Sequence, residues 1–354
     1  LSLSASSKAT NNLTVSTNIN FSDNWADNRP SSNRGTNPLQ WVYAHPANID
    51  INKLRDYKIG SGDIKRVSNA HENPWFLAYD VNNSFRRYLL FGNVAISWDI
   101  LDNLNITGRY SLNKLDQVRE TKIAPGYTKE ANNGAYGIYN GNNVERNIDA
   151  LATWKNNWND FSLILSGGGN VRYTKSSGIS TSSKPGAGLV VPNVYTIRNI
   201  SSGALNYSNA RYEKQINSIY GMVNWGWKDI AYVDLTARND WSSALPKQNR
   251  SYFYPSASLS LMFDKIINMG KKVDMFKLRG GWAQVGNDTS PYRLLATYGN
   301  SGQWGEATRL SKSGGLLAPE LKPELITSFE LGTDIRLFSN RLRFEATYYQ
   351  NKNE

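Results

Sequence analysis

The sequence predicts an all-β chain: an antiparallel transmembrane β-barrel whose strands cross a bilayer. Three observations carry this. Apolar and polar residues alternate with period two along most of the length, which sets one group of side chains on each face of a strand. The alternating runs exceed the usual soluble strand of about 5–6 residues and reach the 9–11 or so that a tilted membrane crossing takes. Tight turns also alternate with long polar loops, as outer-membrane barrels arrange their two ends.

The first strand contains Leu13, Val15, Ile19 and Phe21 and pairs with the segment Leu1 to Ser6. From Tyr88, the even positions Leu90, Gly92, Val94, Ile96, Trp98 and Ile100 face one way, with Asn93, Ser97 and Asp99 between them. A turn at Asp102-Asn103 leads into Leu104, Ile106, Gly108, Tyr110 and Leu112. Ile148 to Trp154 turn near Asn157 into Phe161, Leu163, Leu165, Gly167 and Val171. Ile219 to Trp225 turn at Lys228-Asp229 into Ala231, Val233, Leu235, Ala237 and Trp241. Phe253 to Phe263 precede Phe276, Leu278, Gly280 and Trp282 across a longer turn. Leu325 to Leu337 turn at Ser339-Asn340 into Leu342, Phe344, Ala346 and Tyr348. The intervening loops are expected over 22–84, 119–143, 175–210, 242–251 and 287–323. Trp98, Trp154, Trp225, Trp227 and Tyr348 lie near strand ends, at the depth where amphipathic rings meet headgroups.

The polar face carries Arg109, Asp149, Arg172, Asp234, Arg238, Asp240, Arg279, Glu330, Asp334, Arg336, Arg343 and Glu345. Such charges cannot face lipid, where Arg or Lys at the midplane costs about 2–4 kcal/mol; they face water, one another or a plug. The chain has no cysteine, which removes disulfides, thiolate metal sites and cysteine nucleophiles. Its net charge of +11 is dispersed, with no basic block beyond doublets such as Arg86-Arg87 or Lys271-Lys272. No nucleic-acid partner is therefore expected, because a phosphate footprint needs a clustered patch.

Three segments resemble the SusC/RagA family of TonB-dependent outer-membrane transporters of Bacteroidota: Arg238 to Phe263, Lys277 to Tyr292 and Leu321 to Tyr349. The resemblance implies a 22-stranded barrel around an N-terminal plug, a SusD-like surface lipoprotein as lid, and energy from TonB, ExbB and ExbD. It further implies import of glycans, oligosaccharides or peptides, and location in the outer membrane among its lipid. Residues 1–354 are expected to be one partial barrel domain of about a dozen strands, without the plug or the remaining strands. A passive porin or adhesin barrel and a secreted carbohydrate-binding β-protein remain alternatives. Enzymatic activity is not expected: Glu330 and Asp334 lie along one strand, whereas a glycosidase needs two carboxylates about 5–9.5 Å apart across a cleft.

Candidate ligand contacts are Tyr136 and Tyr139, read as lying in an amide-rich flexible loop (Asn132 to Asn143), and Arg238, Asp240, Tyr252 and Tyr254 on the lumen face near the outer mouth. Arg238 and Asp240 are placed to pair along their strand. No cofactor is expected. Calcium remains open at Asp23-Asn24-Trp25-Ala26-Asp27-Asn28, whose oxygens could serve although the glycine and terminal glutamate of an EF-hand loop are missing. His45 and His71 fit no metal-ligand spacing and read as solvated loop residues. Gly167-Gly168-Gly169, within a strand, reads as a kink or a close approach to a plug and not as a phosphate cradle.

Overall fold

The tight turns form where the chain supplies residues that tolerate left-handed backbone. Asn159 (φ 40°), Lys228 and Asp229 (49° and 54°), and Phe338, Ser339 and Asn340 (56°, 57° and 62°) all adopt it. Asn and Asp enter this region more readily than other side chains because their short polar groups bond locally. Between the turns run the strands of a computed structural model that describes residues 1–30, 35–60, 63–68, 70–130, 133–270, 272–312 and 318–353. Asn132 and Lys271 lie outside the described residues.

The strands are β1 (Ser2–Thr10), β2 (Leu13–Ala26), β3 (Val81–Leu101), β4 (Leu104–Ile123), β5 (Ala135–Trp158), β6 (Phe161–Ser183), β7 (Leu205–Trp227), β8 (Ala231–Ser242), β9 (Ser251–Met262), β10 (Val273–Asn287), β11 (Tyr298–Trp304), β12 (Ala307–Lys312), β13 (Glu324–Leu337) and β14 (Leu342–Asn353). Twelve of them form one antiparallel sheet in chain order, and β11 and β12 form a separate hairpin between β10 and β13. Short helices α1 (Pro38–Ala44) and α2 (Pro74–Tyr79) lie between β2 and β3, and α3 (Phe263–Ile266) lies between β9 and β10. No described helix is long and apolar enough to cross a membrane; the strands do the crossing.

Register fixes the two faces. Trp154, Leu165, Val223, Leu235, Ala257, Trp282 and Phe329 pair in one continuous row across β5 to β13. The row beside it reads Thr153, Ser166, Met222, Thr236, Ser256, Ala283 and Ser328. The first row faces outward and the second faces the lumen. Toward the tight turns the outer face becomes aromatic: Trp154 lies 5.8 Å from Trp158, and Phe161 lies 6.0 Å from Trp225. This is the girdle that marks a membrane interface.

The strands outrun the bilayer. Over 20–24 residues, β4 and β5 extend about 65–80 Å at about 3.3 Å per residue, against about 30 Å of hydrocarbon. The outer face of β4 shows where it leaves lipid. Apolar positions run from Leu104 to Leu112, and then come Lys114, Asp116, Glu120 and Lys122, joined as Lys114–Asp116 and Lys122–Glu120 pairs at 2.8 Å. The expected loops are accordingly shorter: strand continues to residue 123 and resumes at 135, continues to 183 and resumes at 205, and occupies 22–26 and 81–84. With both faces polar, the alternation loses its contrast although the ladder continues.

The largest fully buried side chains lie at the extracellular end of the wall. Phe76 and Leu77 are 0% and 1% exposed, and they pack with Ile64, Val81, Ile123, Ala124, Tyr127 and Ala135. Asn73 fixes this packing. Its side-chain oxygen accepts from the Trp75 and Phe76 amides as the cap of α2, and its amide donates to Leu54 O and Lys65 O at 2.8 and 2.9 Å. A second cluster joins Tyr136, Leu189, Ile200 and Ala204. His45 departs from the solvated reading. It is 8% exposed, 5.5 Å from the His71 ring and bonded to Trp41 O, because the loop folds back and buries it.

Burial, with Asp80 beside one phenol and Glu72 and Glu130 beside the other, pushes both Tyr57 and Tyr127 up to about 12. The folded loop thus holds protons that the unfolded loop releases near pH 10. Its stability is full below that pH and falls as pH rises toward 12. Tyrosinate absorbance, assigned with Tyr57→Phe and Tyr127→Phe, is expected to show both phenols ionising together with loop opening; ionisation near pH 10 without opening would contradict this.

Candidate lumen site

On the lumen face of β7, β8 and β9, near the outer mouth, alternation brings Ser218, Tyr220, Arg238, Asp240, Tyr252 and Tyr254 together. Arg238 Nε donates to Asp240 Oδ1 at 2.8 Å, and Arg238 Nη2 donates to Ser218 Oγ at 2.8 Å. The Tyr254 hydroxyl donates to Asp240 Oδ2 at 2.6 Å, so both carboxylate oxygens are engaged. The guanidinium also lies 5.5 Å from the Tyr220 ring, a cation–π contact that helps hold the arginine in place. Tyr252 stacks on Tyr254 at 5.9 Å. Asp240 and Tyr252 are 6% and 7% exposed, whereas the Arg238 side chain retains 36%. The carboxylate and rings therefore orient Arg238, and Arg238 is the group that reaches the lumen.

Glycines make this packing possible. A Cβ at Gly168 would fall 2.9 Å from the Tyr220 ring and 2.5 Å from Ala150 O. One at Gly286 would fall 2.5 Å from the Tyr252 ring. Of Gly167–Gly169, Gly168 alone has a tyrosine laid across its bare backbone.

A pairing that the sequence alone does not reveal lies just above. Lys214 on β7 pairs with Asp288, which follows β10, and Ser242 at the end of β8 donates to the same carboxylate. Tyr292 stacks on Tyr212 at 6.4 Å. The segment after β10 is thereby strapped across the mouth of β8 and β9. Across β10, β13 and β14 the lumen charges pair with one another: Arg343 with Asp334 at 3.0 Å and with Glu345 at 3.1 Å, and Arg279 with Glu330 at 3.7 Å.

Tyr136 and Tyr139 stand on β5 and not in a flexible loop, and three residues apart on a strand they face opposite ways. Tyr139 lies on the lumen side, with Arg119 4.8 Å from its ring. Tyr136 lies on the outer side, shares the parity of Ile148, donates to Glu120 at 2.8 Å and is covered by the 184–204 loop. Of the six candidate residues, Arg238, Asp240, Tyr252, Tyr254 and Tyr139 stand on the lumen face and Tyr136 on the outer face. At the calcium candidate, both carboxylate oxygens of Asp23 accept from Arg86, at 3.2 and 2.8 Å. Asn28 is bonded to Asn83 N and Ala78 O.

Residues 6–354 match the family model described as TonB dependent receptor-like, beta-barrel. Among curated proteins, the chain is 24% identical over 309 residues to TonB-dependent receptor P3 of Formosa agariphila, covering 83% of this chain and 30% of that relative. It is 25% identical over 301 residues to TonB-dependent receptor P26 of the same organism, covering 79% of this chain and 30% of that relative. The chain thus spans less than a third of the length of these two relatives. Among solved structures, the RagAB peptide importer in its closed-closed state superposes with a TM-score of 0.80 at 19% identity, over 99% of this chain and 39% of that one. The ferric-catecholate import receptor Fiu of E. coli K12 superposes at 0.51 and 12% identity, over 97% of this chain and 49% of that one. At these identities the likeness to solved structures is one of fold.

Proposed function

Since the chain belongs to the TonB dependent receptor-like β-barrel family of the outer membrane, we propose that it is part of the wall of an active importer for oligosaccharides or peptides. In this reading the remaining strands close the barrel, a plug fills it, TonB with ExbB and ExbD withdraws the plug, and a SusD-like lipoprotein covers the mouth. The shared fold with RagAB, itself a peptide importer, supports the import direction. The wall passes solute and performs no covalent chemistry.

The observation that carries the proposal is the division between the two faces. Leu235 and its row offer hydrocarbon to lipid, while the lumen face offers hydroxyls in the row beside it and paired charges in rows further along. That construction insulates a wet passage. The edges support the partial-barrel reading: among the described residues β1 and β14 each bond a single neighbour, and unpaired backbone groups are costly in lipid.

Uptake of labelled oligosaccharide and peptide pools by cells producing the complete protein tests this. Uptake is expected to fall to the level of cells lacking the protein when TonB is deleted. Uptake that persists without TonB would establish a passive pore instead.

A further inference from the structure

Several arginines of the lumen face are matched by acids: Arg238 by Asp240, Arg172 by Glu145, Arg343 by Asp334 and Glu345. Toward the outer end of β3 and β4 the pattern changes. Arg29, Arg87 and Arg119 gather around two rings, and none of them has an ion pair among the described residues. The Arg29 and Arg87 guanidiniums lie 5.0 and 5.9 Å from the same Phe85 ring, and Arg119 lies 4.8 Å from the Tyr139 ring. Phe85, Arg119 and Tyr139 share one rung of the sheet, and Arg87 stands on the adjacent lumen rung opposite Gln117, which accepts from its Nη2 at 3.3 Å.

The local geometry is built and not incidental. Tyr139 lies over the backbone of Gly141 and Gly178, where a Cβ would fall 2.2 and 3.0 Å from its hydroxyl. The ring is thereby pressed flat to the wall with Arg119 against it. Arg87 and Arg119 stand on adjacent lumen rungs and Arg29 shares the Phe85 ring with Arg87, so their like charges add on this part of the wall, and ring faces offset only part of that. An anion between them would take up the free guanidinium donors, which suit carboxylate geometry. The surrounding lumen positions supply hydroxyls and amides: Ser22, Asn24, Gln117, Asn143, Ser176 and Ser180. Hydroxyls and amides on three successive rungs, each able to donate and to accept, suit a chain dense in hydroxyl groups.

We propose that Arg29, Arg87 and Arg119, held by Phe85 and Tyr139, form a carboxylate-binding station on the lumen wall that takes uronate-bearing oligosaccharides. The inference rests on the import reading and specifies the substrate class. The station is separate from the Arg238 cluster, whose charge is already matched.

The test is binding by the purified complete protein in detergent, measured calorimetrically with three probes. These are an oligogalacturonate, the same oligomer with its carboxyl groups reduced to alcohols, and a glutamate-rich peptide of equal charge. The oligouronate is expected to bind at least about tenfold more tightly than its reduced form, with affinity falling as salt rises. Arg87→Gln with Arg119→Gln is expected to remove that preference, and Arg87→Lys with Arg119→Lys to keep only part of it, because an ammonium keeps the charge but loses the planar fork. Equal binding of the acidic and reduced oligomers, no binding of either, or an unchanged preference in the glutamine variant would overturn the proposal. Tighter binding of the peptide would overturn the assignment to saccharide. Loss of the barrel itself shows separately, as failure of the glutamine variant to keep its heat-resistant compact migration in electrophoresis; the lysine variant then carries the comparison. TonB-dependent uptake is independent of every one of these outcomes, so the import reading stands or falls on its own experiment.

Discussion

Replacing Glu72 with alanine is expected to unfasten the extracellular loop between β2 and β3 while leaving the strands intact. Glu72 is 2% exposed and pairs with Arg66 Nε at 3.0 Å; the Arg66 side chain is itself only 12% exposed. The carboxylate also accepts from the Thr128 amide at 2.9 Å and from the Thr128 hydroxyl, and so ties this loop to the one between β4 and β5. Removing it leaves a guanidinium buried without its anion, a loss of about 3–5 kcal/mol in comparable sites. The adjacent Asn73 cap and the Phe76–Leu77 packing depend on the same fold-back. Limited proteolysis of the complete protein in detergent is expected to cut the variant within residues 35–80 well before the parent. Circular dichroism of the strands should not change. Equal cutting rates would mean that the ion pair does not hold the loop.

Leu235→Arg is expected to be the most damaging single change in the wall, and Thr236→Arg, one residue on, is expected to cost little. Leu235 lies in the outward row between Val223 and Ala257, and Thr236 lies between Met222 and Ser256 on the lumen row. Four residues in from the start of β8, Leu235 lies about 13 Å along the strand from the aromatic end at about 3.3 Å per residue, near the middle of the apolar band. Arginine there costs about 2–4 kcal/mol. Guanidinium unfolding of both variants of the complete protein in lipid vesicles measures the contrast. Equal destabilisation by the two would refute the assignment of faces.

The legible part of this fold is the part in contact with lipid. From Leu104 to Leu112 an apolar face against a polar one gives full contrast, and strand, face and turn at Asp102-Asn103 all follow from it. From Lys114 outward both faces are polar, so strand reads as loop, and Tyr136 reads as part of a flexible segment when it is fixed on the outer face. Arg238 and Asp240 can be paired from sequence because two residues apart on a strand share a face. Lys214 and Asp288 cannot, because 74 residues and two strands separate them and only the folded chain brings them together. The burial of His45 depends likewise on a fold-back that has no periodic signature.

The strictly sequential order of the strands bears on how such a wall can change over evolutionary time. Each strand pairs with the one made just before it, with a single excursion for the β11–β12 hairpin. Gain or loss of one complete up-and-down unit would therefore preserve the direction of both flanking strands and leave every remaining connection on its own side of the bilayer. Loss of a single strand would invert everything downstream. Because barrel diameter grows roughly linearly with strand number, channel calibre in this architecture can be widened or narrowed in steps of two, without redesign of the sites carried by the retained segments.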